Sequence, residues 1–319
     1  MPSIQSPLGA LPARFRRSRV LVVGCGDIGL RVAALLAGKL TVRALSSQRV
    51  RVPTLRAAGT TPLWGNLDRP QSLRRLAGLA QRVLHLAPPA TVGDTDERTG
   101  ALLHALRRRG APAALVYAST SGVYGDCGGD WVHEGRALSA TTPRAQRRAD
   151  AEARVHFFGR SGGARTTVLR VPGIYAPNRE GGTPLERLRK GTPVLDAVDD
   201  VFTNHIHADD LARACVRALW CGKPQRAYNV NDDASLKMGD YFDAAAALYG
   251  LPTPPRISRA RAEVEMAAMQ LSFMSESRRM VNTRMKQELG LRLRYASVLD
   301  GLATGVQTPS LPPDAARSR

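Results

Sequence analysis

Val20-Leu21-Val22-Val23-Gly24-Cys25-Gly26-Asp27-Ile28-Gly29-Leu30-Arg31 is the stretch that decides the fold. The four apolar residues at its start read as a buried strand. They break into G-x-G-x-x-G and then into a helical pattern that puts Val32, Leu35 and Leu36 on one side. A dinucleotide demands that order. Gly24 permits the sharp turn, Gly26 lets a pyrophosphate approach the backbone, and Gly29 lets the helix pack closely on the strand. The start of the helix, from Asp27 and Ile28 onward, then offers unpaired N–H groups and a positive dipole end to the phosphates. A glycine-rich turn after a strand is sometimes merely structural. With strand, three glycines and helix in this order, the dinucleotide reading is the stronger one.

Outward from the turn, apolar strand candidates at 20–23, 40–45, 61–63, 83–86, 113–118 and 166–171 alternate with helical candidates at 28–37, 71–79, 94–109 and 144–158. Such alternation implies parallel strands with crossover helices. The expected class is α/β, a Rossmann-type doubly wound parallel sheet whose ligands bind beyond the carboxyl ends of the strands. After Val171 the texture changes to Gly, Pro and charge through 172–200. A strand candidate at 201–204, a helix at 209–220, a strand at 227–230, a helix at 238–248 and a last helical region follow. This pattern predicts a dinucleotide-binding core over 20–171 and a smaller C-terminal α/β substrate lobe over 172–306, interleaved with the core. A flexible leader is expected at 1–19 and a disordered tail at 307–319.

Composition narrows the function classes. With 319 residues and 43% hydrophobic content the chain can bury a large core, and no apolar run approaches the ~20 residues needed to span a bilayer. The first residues are Pro- and Arg-rich and lack a signal-peptide core, so a cytoplasmic location without membrane attachment is expected. Cys25, Cys127, Cys215 and Cys221 are scattered, which argues against a disulfide framework or a zinc site; no metal is expected. The net charge of +19 is nearly all arginine, since only five of the 46 basic residues are lysines. Those arginines are spread along the chain and aromatics are only 5%, so a nucleic-acid partner is not expected. Attraction of phosphorylated small molecules is expected instead.

The stretch Leu115-Val116-Tyr117-Ala118-Ser119-Thr120-Ser121-Gly122-Val123-Tyr124-Gly125-Asp126 resembles the fifth-strand motif of the extended short-chain dehydrogenases/reductases, the NAD(P)-dependent epimerase/dehydratase-like proteins. Leu169-Arg170-Val171-Pro172-Gly173-Ile174-Tyr175-Ala176-Pro177, His205-Ile206-His207-Ala208-Asp209-Asp210-Leu211-Ala212 and Tyr228-Asn229-Val230 follow in the matching order, so the resemblance spans about 20–230. It implies an NAD(P)-binding oxidoreductase or epimerase acting on a carbonyl or sugar-like small molecule, in which Thr120 polarises the reacting oxygen. The family's Tyr-x-x-x-Lys acid/base pair falls at Arg144 and Arg148. A guanidinium does not deprotonate at usable pH, so Arg144 cannot replace a tyrosinate, whereas Arg148 can still hold a ribose or phosphate. The departure resembles the atypical branch of the superfamily. Tyr124 or a bound water is then the expected proton donor, and Tyr175, His133 and Glu134 are expected as packing or substrate contacts. Family dehydratases carry Asp-Glu where this chain has Ser121-Gly122, which disfavours 4,6-dehydration. The alternative is an inactive NAD(P)-binding sensor or partner-binding protein.

The second strand's end reads Ser46-Ser47-Gln48-Arg49-Val50-Arg51 with no acid for a ribose 2′-OH. Ser46, Ser47 and Arg49 suit a 2′-phosphate, so NADP is favoured over NAD. By the same resemblance Asn66 and Leu67 meet the adenine, while Leu86, Ala87, Pro88, Ser119 and Pro172 border the cofactor. His205 and His207 read as scaffold, and Asp209 or Asp210 as a helix cap. Relatives often dimerise, which keeps a homodimer among the assemblies the sequence leaves open.

Overall fold

The computed structural model describes residues 18–306; the tail and all but the end of the leader lie outside the described residues. Seven strands form one sheet: β1 (Arg19–Val23), β2 (Thr41–Ser46), β3 (Thr61–Trp64), β4 (Arg82–His85), β5 (Ala114–Thr120), β6 (Arg165–Val171) and β7 (Arg226–Asn229). Their spatial order is β3-β2-β1-β4-β5-β6-β7, and every neighbouring pair is parallel. The order reverses beside β1, where doubly wound sheets open a crevice for ligands. Arg19 opens β1 and pairs with Thr41, so the strand reaches one residue into the segment expected as leader.

Both faces are covered because the strands are apolar on both sides. Val20 and Val22 of β1 point into one core with Val32, Ala33 and Leu36 of α1 (Asp27–Leu36). Leu21 and Val23 point into the other, with the 3-10 segment Pro70–Leu76 and two long helices. A short helix, α2 (Val52–Ala57), precedes β3, and the two long helices are α3 (Glu97–Arg107) and α4 (Pro143–Gly162). The helix expected at 71–79 is this 3-10 segment. Pro70 starts it, and its buried residues, Leu73 and Leu76, are three apart, the repeat of a 3-10 turn.

The helix after the His-x-His stretch is α5 (Ala208–Cys221), which packs on α1. Neither aspartate caps it. His207 is the N-cap, its Nδ1 accepting from the Asp209 N–H at 3.2 Å. Asp210 is fully buried, accepts from the backbone N–H groups of Arg294 (2.9 Å) and Tyr295 (3.0 Å), and pairs with Arg213 at 2.6 Å. Asp209 pairs with Arg31 of α1 instead.

Short strand pairs attach the remaining chain to the carboxyl edge. Gly173–Tyr175 runs parallel to His205–His207, and Trp131–Val132 parallel to Arg279–Met280. A third core forms where Tyr175, Leu188, Val194 and Leu195 meet Tyr241, Phe242 and Ala245 of α6 (Met238–Tyr249). This lobe stands over the ends of β6 and β7.

Candidate active site

The turn after β1 is built by close contact between backbones. Gly24 has φ +82°, and a Cβ there would lie 2.4 Å from the Ala87 nitrogen and 2.6 Å from its Cα. The Val23 carbonyl accepts from the N–H groups of Leu86 (2.8 Å) and Ala87 (3.1 Å), which fixes the exit of β4 against the turn. Gly29 is the other tight position, with a Cβ 3.0 Å from Cys25 Sγ and 3.3 Å from the Val22 side chain. Gly26 is different. Nothing lies within 4 Å of a Cβ built there, and Gly26 caps α1 without any side-chain hydrogen bond. The open space faces the uncapped start of a ten-residue helix, the physical requirement for an anion site. Ile28 is half-buried and packs on the core behind.

The β2 exit places cations beside this turn. Ser46 Oγ accepts from the Gln48 N–H at 3.1 Å, and Ser47 and Arg49 are exposed on the turn beyond. Burial pushes the Cys25 thiol up to about 11, and the charge of half-buried Arg51 pulls it the other way, which puts that guanidinium near the glycine turn. Arg51 was not singled out from the sequence. The only available signal was its spacing of two from Arg49 in a tight turn.

At the β3 exit Asn66 Oδ1 accepts from the Asp68 N–H at 2.9 Å, with Leu67 half-buried between them. Asp68 is gripped by both arms of Arg98, at 2.6 and 2.7 Å. Beyond β4, Arg98 Nη1 also donates to the carbonyls of Pro88 and Pro89 at 3.3 Å. A cavity of about 520 Å³ runs along the outside of α3 past Arg74, His104 and Arg108, and meets this edge at Leu67, Asp68, Ala90 and Arg98.

The β5 end carries the reactive candidates. Ser119 is buried and its Oγ finds no hydrogen-bond partner among the described residues. Thr120 is half-buried, and its Oγ1 accepts from the Gly122 N–H at 3.3 Å, which leaves its O–H free to donate. On α4, Arg144 is exposed, while Arg148 turns inward and donates to the Ala118 carbonyl at 2.5 Å and the Tyr117 hydroxyl at 3.3 Å. Pro172, half-buried, follows Val171, the last residue of β6, which pairs with Thr120.

Tyr124 departs from the expectation. Only 1% exposed, it donates to Asn229 Oδ1 at 2.7 Å and accepts from Arg170 Nη1 at 2.8 Å. Burial pushes its phenol up to about 12, against the pull of Arg170. Arg170 is held by Glu152 through Nη2 at 2.8 Å and Nε at 3.2 Å, and donates to the Glu134 carbonyl at 3.0 Å. Glu134 in turn accepts from the Asn229 N–H at 3.0 Å. The phenol is thus part of a buried lattice that ties α4, β6 and β7 together. Tyr175 is likewise buried and donates to the Ser297 carbonyl at 3.1 Å. His205 is stacked on Tyr241 with ring centroids 4.5 Å apart, and His207 on Tyr295 at 3.8 Å.

The sequence model of the NAD dependent epimerase/dehydratase family matches residues 20–231, a span that runs from the first residue after Arg19 in β1 to just past β7. The chain belongs to that family. A trifunctional UDP-glucose 4,6-dehydratase/UDP-4-keto-6-deoxy-D-glucose 3,5-epimerase/UDP-4-keto-L-rhamnose-reductase of Arabidopsis thaliana is 27% identical over 161 residues, 48% of this chain. The match takes in 24% of that relative, so the chain corresponds to about a quarter of its length. A functionally unknown conserved protein from Silicibacter pomeroyi DSS superposes with a TM-score of 0.76 at 28% identity, over 90% of this chain and 98% of that one. The fold is shared with a UDP-glucose 4-epimerase of Thermotoga maritima solved with UDP-glucose (TM-score 0.72, 20% identity, 90% and 97% covered). It is shared as well with the NAD complex of a Thermus thermophilus UDP-glucose 4-epimerase (TM-score 0.69, 23% identity, 89% and 96% covered). Among the described residues of this NAD-dependent epimerase/dehydratase family member, no cluster of three or more metal-ligating side chains occurs, and no helix is long and apolar enough to cross a membrane.

Proposed function

We propose that the chain is a nicotinamide-dinucleotide-dependent enzyme that oxidises, reduces or epimerises a carbonyl or sugar-like substrate at the carboxyl edge of its sheet. One observation carries the reading: the open, uncapped start of α1 at Gly26 shares that edge with Thr120, whose O–H is uncommitted. The residues present fit a dinucleotide. The backbone N–H groups of Asp27 and Ile28 face the space at Gly26, and Asn66 and Leu67 suit the adenine end. Leu86, Ala87, Pro88, Ser119 and Pro172 border the path toward Thr120. Bound there, the dinucleotide supplies the hydride acceptor or donor.

Thr120 donates to the reacting oxygen and holds it in place. Arg148 stabilises negative charge and takes a ribose or phosphate contact through its planar guanidinium. Tyr124 is turned into the protein and committed to Asn229 and Arg170, so a water held at Thr120 carries the proton. NADP is the preferred form. No acid lies at the β2 exit, and Arg51 joins Ser46, Ser47 and Arg49 there as a partner for a 2′-phosphate. The substrate class follows the relatives that act on or bind UDP-sugars. Dehydration is not proposed, because Ser121 and Gly122 offer no carboxyl group.

The test is turnover of a panel of UDP-sugars and their 4-keto forms with NADPH or NADP, read by nicotinamide absorbance and product analysis. We expect turnover in wild type, and in Thr120→Val a loss of at least about a hundredfold with NADPH affinity unchanged. Tight NADPH binding with no turnover on the whole panel would favour the binding-protein alternative.

A further inference from the structure

The loop that follows Gly173–Tyr175 is tied to the first turn of α1 as well as to its own lobe. Arg31 donates through Nε to Asp27 Oδ1 at 3.0 Å, through Nη2 to Asn178 Oδ1 at 2.7 Å and through Nη1 to Asp209 Oδ1 at 2.5 Å. Arg179 meets the other oxygen of the Asp27 carboxylate, with Nε 3.2 Å from Oδ2, while its Nη1 donates to the Ile174 carbonyl at 2.9 Å.

These two arginines are held with unequal quality. Arg31 makes three aligned hydrogen bonds. Arg179 Nε and Asp27 Oδ2 are both buried, yet neither has a hydrogen-bond partner, so at 3.2 Å they attract as charges without hydrogen-bond alignment. Arg179 is therefore the loosest cation of the group, and its side chain is 30% exposed.

Asp27 is the first residue of α1. A carboxylate there suits the helix dipole, but it also stands beside the N–H groups assigned above to the pyrophosphate, where like charges repel unless a cation intervenes. A guanidinium prefers phosphate oxygens that match its fork to a carboxylate oxygen it cannot align with.

We propose that Arg179 is a ligand for the dinucleotide's pyrophosphate, and that Asp27 holds it in reserve until the phosphates arrive. The proposal rests on the dinucleotide reading of the glycine turn. It also makes cofactor binding felt by the loop after β6, on the substrate side, because Arg179 belongs to that loop.

The sign of one substitution separates this role from a merely structural one. Asp27→Asn keeps an oxygen for Arg31, removes the repelling charge and releases Arg179. NADPH binding, followed by fluorescence titration at low and high salt, should tighten by about fivefold, the size of one unit-charge repulsion near a hydrated surface. Arg179→Gln should bind NADPH about tenfold more weakly and with less salt dependence, as expected for one lost charge-assisted contact. In the double variant the gain from the removed charge should remain, and any gain beyond it, which comes from releasing Arg179, should vanish.

Wild-type affinity and salt dependence in Arg179→Gln would overturn the proposal. So would weaker NADPH binding in an Asp27→Asn protein that melts at the wild-type temperature. If Asp27→Asn is itself unstable, Arg179→Gln decides alone. Failure of the wild-type chain to bind either NADPH or NADH would instead remove the dinucleotide reading beneath it, a result distinguishable from the others.

Discussion

Gly24 and Gly26 sit two residues apart in one turn, yet alanine at each should fail in a different assay. At Gly24 the backbone is at φ +82°, which costs a non-glycine residue about 1–2 kcal/mol. The added Cβ would also lie 2.4 Å from the Ala87 nitrogen, a backbone atom fixed by its hydrogen bond to the Val23 carbonyl. Overpacking of that kind adds about 1–3 kcal/mol, so Gly24→Ala should lose about 2–5 kcal/mol. That is a large part of the roughly 5–15 kcal/mol typical of a folded domain.

Gly26 has φ −79° and ψ −151°, ordinary extended backbone, and open space at its Cβ. Alanine is a poorer N-cap than glycine by some tenths of a kcal/mol, and the stiffer unfolded chain returns about 0.4–1 kcal/mol. Stability should therefore stay within about 1 kcal/mol of wild type. The methyl group would occupy the space assigned to the pyrophosphate, so NADPH affinity should fall at least about tenfold, which is about 1.4 kcal/mol. Urea denaturation and fluorescence titration read the two effects separately. A Gly26→Ala protein that binds NADPH as wild type does would place the pyrophosphate elsewhere, and a Gly24→Ala protein of undiminished stability would show that the turn is not held against Ala87.

Other consequences are open to similar checks. Arg170 and Glu152 have side chains only 6% and 3% exposed, so Glu152→Gln strands a buried guanidinium and should cost about 3–5 kcal/mol in urea denaturation; a loss below about 1 kcal/mol would argue against the lattice. Tyr124→Phe should lower stability by about 1–3 kcal/mol without altering the pH profile of any turnover, whereas a lost alkaline limb would restore the phenol as a proton donor. Stability should also peak near pH ~6.5. Burial holds His205 down to about 4 and His85 to about 3, and it lifts Asp232 to about 8. Between pH ~4 and ~6.5 the unfolded chain therefore binds at least two extra protons at the histidines, His156 and His207 being lowered by burial as well, and the folded chain one at Asp232. Stability rises with pH there by at least about 1.4 kcal/mol per unit. Above that range Asp232 alone reverses the slope, and a urea midpoint still climbing at pH ~8 would contradict this balance.

The sheet was legible because its strands are apolar on both faces and its glycines have requirements no other residue meets. Gly24 and Gly29 could be assigned from spacing alone, since a parallel sheet with a crossover helix brings backbones close there. The 3-10 segment at Pro70–Leu76 was misread as a helix because leucines three apart satisfy either period. The lobe resisted reading for another reason. Gly173–Tyr175 becomes a strand only by pairing with His205–His207, some thirty residues later, and a three-residue strand has no period to detect. Side-chain direction was hidden too. Tyr124 follows Thr120 closely in sequence, but Arg170 and Asn229, distant in the chain, turn its hydroxyl into the protein. Arg179 carries no signal of its own among so many arginines, because only the fold sets it beside Asp27.

The turn at Gly24, Gly26 and Gly29 is assigned a nicotinamide dinucleotide, and the β2 exit a preference for its phosphorylated form. Paired fluorescence titrations of the purified chain with NADPH and NADH test both assignments most directly. Both should bind saturably, NADPH tighter by at least about tenfold, and Arg51→Ala should shrink that preference. Equal affinities in wild type would contradict the assignment of the β2 exit, and absence of binding to either would contradict the assignment of the turn.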